Sequence, residues 1–74
     1  MLVTIIYNTD FGEQAASLKG DVQLEWADCS VNKIGVKDNL VGAKYQVQLD
    51  GNIVYTGKEP IDNTTIINSI KERL

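Results

Sequence analysis

Histidine is absent from this chain of 74 residues, and cysteine and proline occur once each, as Cys29 and Pro60. With no imidazole, one thiol and no suitably spaced carboxylates, the sequence offers no donor set for a metal ion. A single cysteine also excludes an internal disulfide and is typical of a reducing cytosol. We therefore expect a cytoplasmic protein that holds no metal and no cofactor.

The charge balance argues against nucleic-acid binding, and the hydropathy pattern argues against a membrane-spanning protein. The net charge is −3, whereas a nucleic-acid binder needs clustered basic residues, and Lys33, Lys37 and Lys44 are scattered. No apolar run is long enough to cross a membrane, and the short apolar start lacks the basic residues of a signal peptide. With 43% hydrophobic and 23% charged residues, the composition predicts one globular domain over residues 1–74.

Apolar periodicity predicts the elements of the first third of the chain. Residues 2–7 are apolar and largely β-branched, which is typical of a buried strand. Apolar residues at helical spacing predict a helix over 11–19, with Asp10 and Glu13 as a capping box and Gly20 as a left-handed stop. The helix should therefore follow directly after the first strand.

The middle of the chain gives a weaker pattern. Alternation of apolar and polar residues predicts a second strand over 22–27, with Val22, Leu24 and Trp26 on one buried face. Several glycine, asparagine and aspartate residues interrupt the following segment, which we interpret as a short irregular helix within 31–41.

The last third is clearer. Residues 45–49 and 52–56 alternate on either side of Asp50-Gly51, which is the strongest short-range signal for a hairpin. Asp62 is placed to cap a final helix. The core face of that helix is predicted to contain Ile66, Ile67, Ile70 and Leu74.

This order of elements resembles that of a small thioredoxin or glutaredoxin. Residues 27–32 are similar to the family's Val-Asp-Cys run, and residues 45–55 resemble its hairpin. The resemblance implies an α/β, thioredoxin-like fold with a mixed four-stranded sheet in the order β-α-β-(α)-β-β-α.

The resemblance also implies that the redox motif is lost. When Gly12 is aligned with the glycine of Cys-Gly-Pro-Cys, Phe11 and Gln14 occupy the two cysteine positions, and Glu13 occupies that of proline. Ile5 stands in place of the family's buried acid. Dithiol exchange needs an attacking thiolate and a resolving thiol, so we do not expect an enzyme of this kind.

The implied function is a non-catalytic module that binds a protein partner in the family's groove, where strand ends leave backbone groups free. Ala43 would stand near the position of the family's cis-proline. The implied binding residues are Thr9, Asp10, Phe11, Gly12, Glu13, Gln14, Ala43, Lys44 and Gly57.

Two other functions stay open at this point. Cys29 could be a reactive thiol, making the protein a monothiol redox sensor, although a structural cysteine is the plainer interpretation. Alternatively, the exposed edge strand 52–56 could make the protein an assembly subunit. Phe11 has two interpretations as well, as a core residue or as an exposed anchor for a partner.

Overall fold

The computed structural model describes residues 1–37 and 42–74. Its helices and strands, in chain order, are β1 (Leu2–Asn8), α1 (Gly12–Glu25), β2 (Ser30–Val36), β3 (Tyr45–Leu49), β4 (Asn52–Gly57) and α2 (Asn63–Lys71). A single 3₁₀ turn, Thr9–Phe11, joins β1 to α1.

The strands form a mixed four-stranded sheet in the order β2-β1-β3-β4. β1 and β2 are parallel, whereas β1 with β3 and β3 with β4 are antiparallel. The predictions of a small α/β domain with a four-stranded mixed sheet and an antiparallel last pair are therefore confirmed. The strand that pairs in parallel with β1 is Ser30–Val36 and not the predicted strand over 22–27. No helix lies between β2 and β3 within the described residues, so the observed order is β-α-β-β-β-α.

The core lies on one face of the sheet, beneath both helices. Alternate side chains of the central strands, among them Val3, Ile5 and Val47, are fully buried there. The helices close the core with Ala15, Leu18, Val22, Ile66 and Ile70. No helix formed by the described residues is both long enough and apolar enough to cross a membrane.

The first helix is longer than predicted. It continues through Gly20 to Glu25, so the predicted glycine stop and the predicted strand over 22–27 are wrong. Ala15, Leu18 and Val22 form one helical stripe with no exposed surface. Burial of Val22 on that stripe outweighs the cost of about 1 kcal/mol for a glycine inside a helix.

The alternating apolar residues that suggested a strand over 22–27 occupy different environments in the structure. Leu24 projects away from the core and is 86% exposed. Trp26 lies just beyond the end of α1, where it is half-buried and packs against the core. Val22, Leu24 and Trp26 therefore do not share a face.

The predicted helix within 31–41 is wrong over residues 31–36, which belong to β2. Residues 38–41 lie outside the described residues. β2 is an edge strand that pairs with β1 alone and is exposed over most of its length, so it lacks the regular apolar alternation of a half-buried strand. Gly35 lies within β2 and not in a turn, and a Cβ at this position would come 3.3 Å from the Tyr7 ring.

The hairpin and the start of the last helix are as predicted. Asp50 and Gly51 both have positive φ, 49° and 87°, as a primed two-residue turn requires. The Asp62 carboxylate accepts a hydrogen bond from the Thr65 amide at 2.9 Å, and hydrogen bonds from Thr65 lower the Asp62 pKa. α2 ends at Lys71, however, and Leu74 is 68% exposed, so its assignment to the core is wrong.

Candidate functional site

Two backbone hydrogen bonds join the segments that contain the predicted binding residues. The Asn8 amide donates to the Lys44 carbonyl at 2.8 Å, and the Lys44 amide donates to the Gly57 carbonyl at 2.9 Å. The structure therefore brings the β1–α1 turn, the start of β3 and the end of β4 together at one end of the sheet. Both backbone groups of Lys44 are used internally, contrary to the expectation that backbone groups at this edge stay free for a partner.

The turn after β1 is built on Asn8, which the sequence analysis did not single out. Its Oδ1 accepts from the Asp10 amide at 2.9 Å, and its Nδ2 donates to the Lys37 carbonyl at 3.4 Å. Asn8 therefore caps the 3₁₀ turn, whereas the predicted Asp10–Glu13 capping box is wrong, because Phe11 stands at the N-cap of α1 without a side-chain cap. Asparagine commonly bonds the backbone two residues onward, and that signal could have identified Asn8.

Exposure divides the predicted site residues into three groups. The exposed members lie in the turn and the first turn of α1, and they are Thr9, Asp10, Glu13 and Gln14. Phe11, Gly12, Lys44 and Gly57 are half-buried. Ala43 is only 5% exposed and offers no surface to a partner.

A row of aromatic rings underlies these residues. Phe11 meets Tyr45 edge to face with ring centroids 6.5 Å apart, and Tyr45 lies 6.3 Å from Tyr55. Tyr45 is 1% exposed, and burial raises its pKa to about 12. The rings give the site a packed base, and Phe11 belongs to that base as well as to its surface.

Gly57 has a steric role at the end of β4. A Cβ at Gly57 would overlap the hydroxyl of Tyr55. That hydroxyl donates to the Glu59 carbonyl at 2.5 Å. Glycine at position 57 therefore allows the Tyr55 ring to cross the end of β4 and bond the following turn.

Cys29 lies at the opposite end of the sheet. The next residue, Ser30, donates its amide hydrogen to the Met1 carbonyl at 3.1 Å, and β1 separates this end from Asn8 by roughly 20 Å at the usual rise per residue. Cys29 is 6% exposed, and its thiol donates to the Ser30 carbonyl at 3.4 Å. Burial raises the Cys29 pKa, which disfavours the reactive thiolate.

The remaining surface offers little chemistry. Within residues 1–37 and 42–74, no group of three metal-ligating side chains could hold a metal ion. A cavity of about 310 Å³ lies between α1 and α2, away from the predicted site. Its lining includes Lys71 and Glu25, whose 2.7 Å ion pair is partly exposed and so contributes little to stability.

No protein-family model matches the chain, and no curated protein matches it either.

Proposed function

We propose that this protein is a cytoplasmic, non-catalytic, thioredoxin-like module that binds a protein partner at the β1–α1 end of its sheet. The main support for the proposal is that the predicted binding residues converge around Lys44. This end of the sheet is remote from the chain's single thiol. In α/β folds, this end of a strand that leads into a helix is a common place for a binding site.

The thioredoxin-like part of the proposal rests on the arrangement of elements. A parallel β1–β2 pair linked by α1, followed by an antiparallel hairpin and a terminal helix, supports this part of the proposal. Two features depart from the family's pattern. The run that residues 27–32 resemble ends a strand in the family, whereas here these residues lead into β2 and begin it. The described residues also contain no helix between β2 and β3.

The exposed polar residues around the packed aromatic rings indicate how a partner would bind. Asp10 and Glu13 supply negative charge beside the start of α1, and the half-buried Lys44 supplies a positive charge across the turn. Mixed charges around a rigid apolar base favour a polar rim with a small central contact, which is the usual anatomy of a protein interface. The partner should therefore present a complementary basic group toward Asp10 and Glu13.

The environment of Cys29 disfavours the monothiol alternative. A redox cysteine needs access and a stabilised thiolate, whereas Cys29 is buried and its pKa is raised. It also lies about 20 Å, the length of β1, from the proposed binding surface.

Site-specific photo-crosslinking in a lysate of the native host tests the proposal. A photoreactive residue replaces Gln14 in one variant and Gln23 in a control variant. Both glutamines are exposed on α1, about 13 Å apart along the helix axis, so the two probes differ in position and not in secondary structure or exposure.

We expect a discrete crosslinked product from position 14 that an excess of unmodified protein suppresses, and no such product from position 23. The Cys29→Ala change should leave the product intact. Equal crosslinking from both positions, or loss of the product in Cys29→Ala, would contradict the proposal, the latter in favour of thiol chemistry.

A further inference from the structure

The sheet has a second face on which no helix of the described residues packs. It carries the exposed and half-buried side chains that alternate with the core residues along the two central strands, together with the edge-strand residues on the same side of the sheet. We call it the open face, and its residues are Leu2, Thr4, Ile6, Ser30, Asn32, Ile34, Val36, Gln46, Gln48, Ile53 and Thr56. Its isoleucines at the two edges, Ile34 and Ile53, are 46% and 49% exposed.

The open face contains no charged residue, although 23% of the chain is charged. Its polar members are amides and hydroxyls, which both donate and accept hydrogen bonds. Depletion of charge is the compositional feature that distinguishes the core of a protein interface from ordinary surface. The open face therefore has the composition of a contact surface.

We propose that the open face binds the open face of a second copy of this chain, with the two sheets stacked across a twofold axis. In such a contact each surface meets itself, so any charge near the axis would meet an identical charge. An uncharged face of groups that both donate and accept satisfies that condition, whereas a partner of different sequence would not require it.

A pair of glutamines at the centre of the face carries the argument further. The Gln48 Nε2 donates to the Gln46 Oε1 at 2.8 Å along β3. Within the described residues this pair leaves an amide donor on Gln46 and a carbonyl acceptor on Gln48. Across a twofold axis, the donor of each copy can reach the acceptor of the other, so the pair is complementary to itself.

The area of the face sets the strength of the contact. Four strands about 4.8 Å apart, each with five to seven residues rising about 3.3 Å, give a flat area of about 400 Å² per copy. Two such faces together bury about 800 Å², which is less than the roughly 1,200 Å² of the smallest stable interfaces and is typical of a weak, transient contact. The dimer should therefore be reversible and dissociate at micromolar concentrations, and it should not be obligate.

Analytical ultracentrifugation of the full chain over about 1 µM to 1 mM, spanning the weak-affinity range, tests this proposal with one matched pair of variants. Gln46→Glu keeps the Oε1 that accepts from Gln48 and replaces the amide donor by a charge at the centre of the open face. Gln23→Glu makes the same chemical change on the exposed surface of α1, in the opposite layer. Melting curves at low concentration establish that both variants fold.

We expect wild type and Gln23→Glu to dimerise alike, and Gln46→Glu to raise the dimer dissociation constant at least tenfold, with partial recovery at high salt. A wild-type protein that stays monomeric at 1 mM would overturn the proposal. So would a dimer that Gln46→Glu leaves unchanged, because such a dimer would use an edge strand or the helical layer.

Discussion

Phe11 contacts Tyr45 edge to face, with ring centroids 6.5 Å apart. Through this contact the first turn after β1 is attached to a tyrosine that lies within the core. Of the two interpretations of Phe11, core packing is therefore better supported, because the side chain packs against the core. Part of its surface remains exposed. The contact couples the conformation of the candidate binding surface to the stability of the fold.

Replacement of Phe11 tests this coupling. Phe11→Ser should lower the free energy of unfolding by about 2 kcal/mol, because it removes a partly buried phenyl ring and one aromatic pair. Phe11→Leu retains most of the volume and should lose less than half as much. Urea denaturation measures both. Unchanged stability of Phe11→Ser, combined with loss of the crosslink from position 14, would instead identify Phe11 as an exposed anchor.

Gly20 provides a direct test of the longer helix. It is exposed within α1, and a Cβ at this position would meet nothing within 4 Å. Gly20→Ala should therefore stabilise the protein by about 0.5–1 kcal/mol, through higher helix propensity and a less flexible unfolded chain. Gly51→Ala is the control and should destabilise, because Gly51 has a φ of 87°.

A left-handed glycine at the end of a helix would give the opposite result, since alanine is strained in that conformation. Destabilisation by Gly20→Ala, measured by the same thermal melts as the control, would therefore contradict a continuous α1.

The elements that could be predicted from the sequence are those specified by local signals. The Asp50-Gly51 turn and the Asp62 cap each depend on a few adjacent residues, and both occur as expected. The run from Gly20 to Trp26 has apolar spacings compatible with a helix or a strand, so only packing against the sheet decides between them. β2 could not be recognised because an edge strand buries little.

The candidate site shows the same difference between features that local signals specify and features that depend on tertiary contacts. The convergence of the β1–α1 turn with Lys44 and Gly57 was implied by the resemblance alone, and in the structure it follows from the pairing of β3 with both β1 and β4. The cap that Asn8 provides to the Asp10 amide is local and could have been predicted, whereas its bond to the Lys37 carbonyl is a tertiary contact that no local pattern specifies. The burial of Ala43 likewise depends on neighbouring elements.

The last helix should be essential because it supplies two fully buried isoleucines, Ile66 and Ile70. Ile70→Ala should cost about 2–5 kcal/mol, which is a large part of the stability of a domain this small. Leu74→Ala is the control beyond the end of α2, where the side chain is 68% exposed, and should have an effect within about 0.5 kcal/mol. Truncation before Asp62 should abolish cooperative melting, and a cooperative melt of that fragment would contradict the core assignment.

Tyr45 should make the protein sensitive to alkali. Burial raises its pKa to about 12 in the folded protein, whereas an unfolded chain releases this proton near pH 10. The raised pKa therefore contributes stability that is fully present below about pH 10 and is lost as the pH rises toward 12, by up to about 1.4 kcal/mol per pH unit. Other groups also titrate between about pH 10 and 12. The contribution of Tyr45 is therefore isolated as the difference in the free energy of unfolding between wild type and Tyr45→Phe.

The stability difference between wild type and Tyr45→Phe, measured by urea denaturation, should be constant from pH 7 to about pH 9. Above about pH 10 wild type should lose stability more steeply than the variant. Parallel curves up to pH 12 would show that Tyr45 ionises in the folded protein as readily as in the unfolded chain.

Cys29 should behave as a buried structural thiol. Its raised pKa and 6% exposure predict that an aromatic disulfide reagent reacts with it at least about 100-fold more slowly than with an exposed thiol, because only the accessible thiolate attacks. The reference is Gln14→Cys in a Cys29→Ala background, where the new thiol is exposed beside the positive end of α1. Cys29→Ala itself should keep the fold and lose about 1 kcal/mol for the small side chain removed. Labelling of Cys29 as fast as that of the reference thiol, or a dimer that a reductant dissociates, would favour the redox alternative over the binding module.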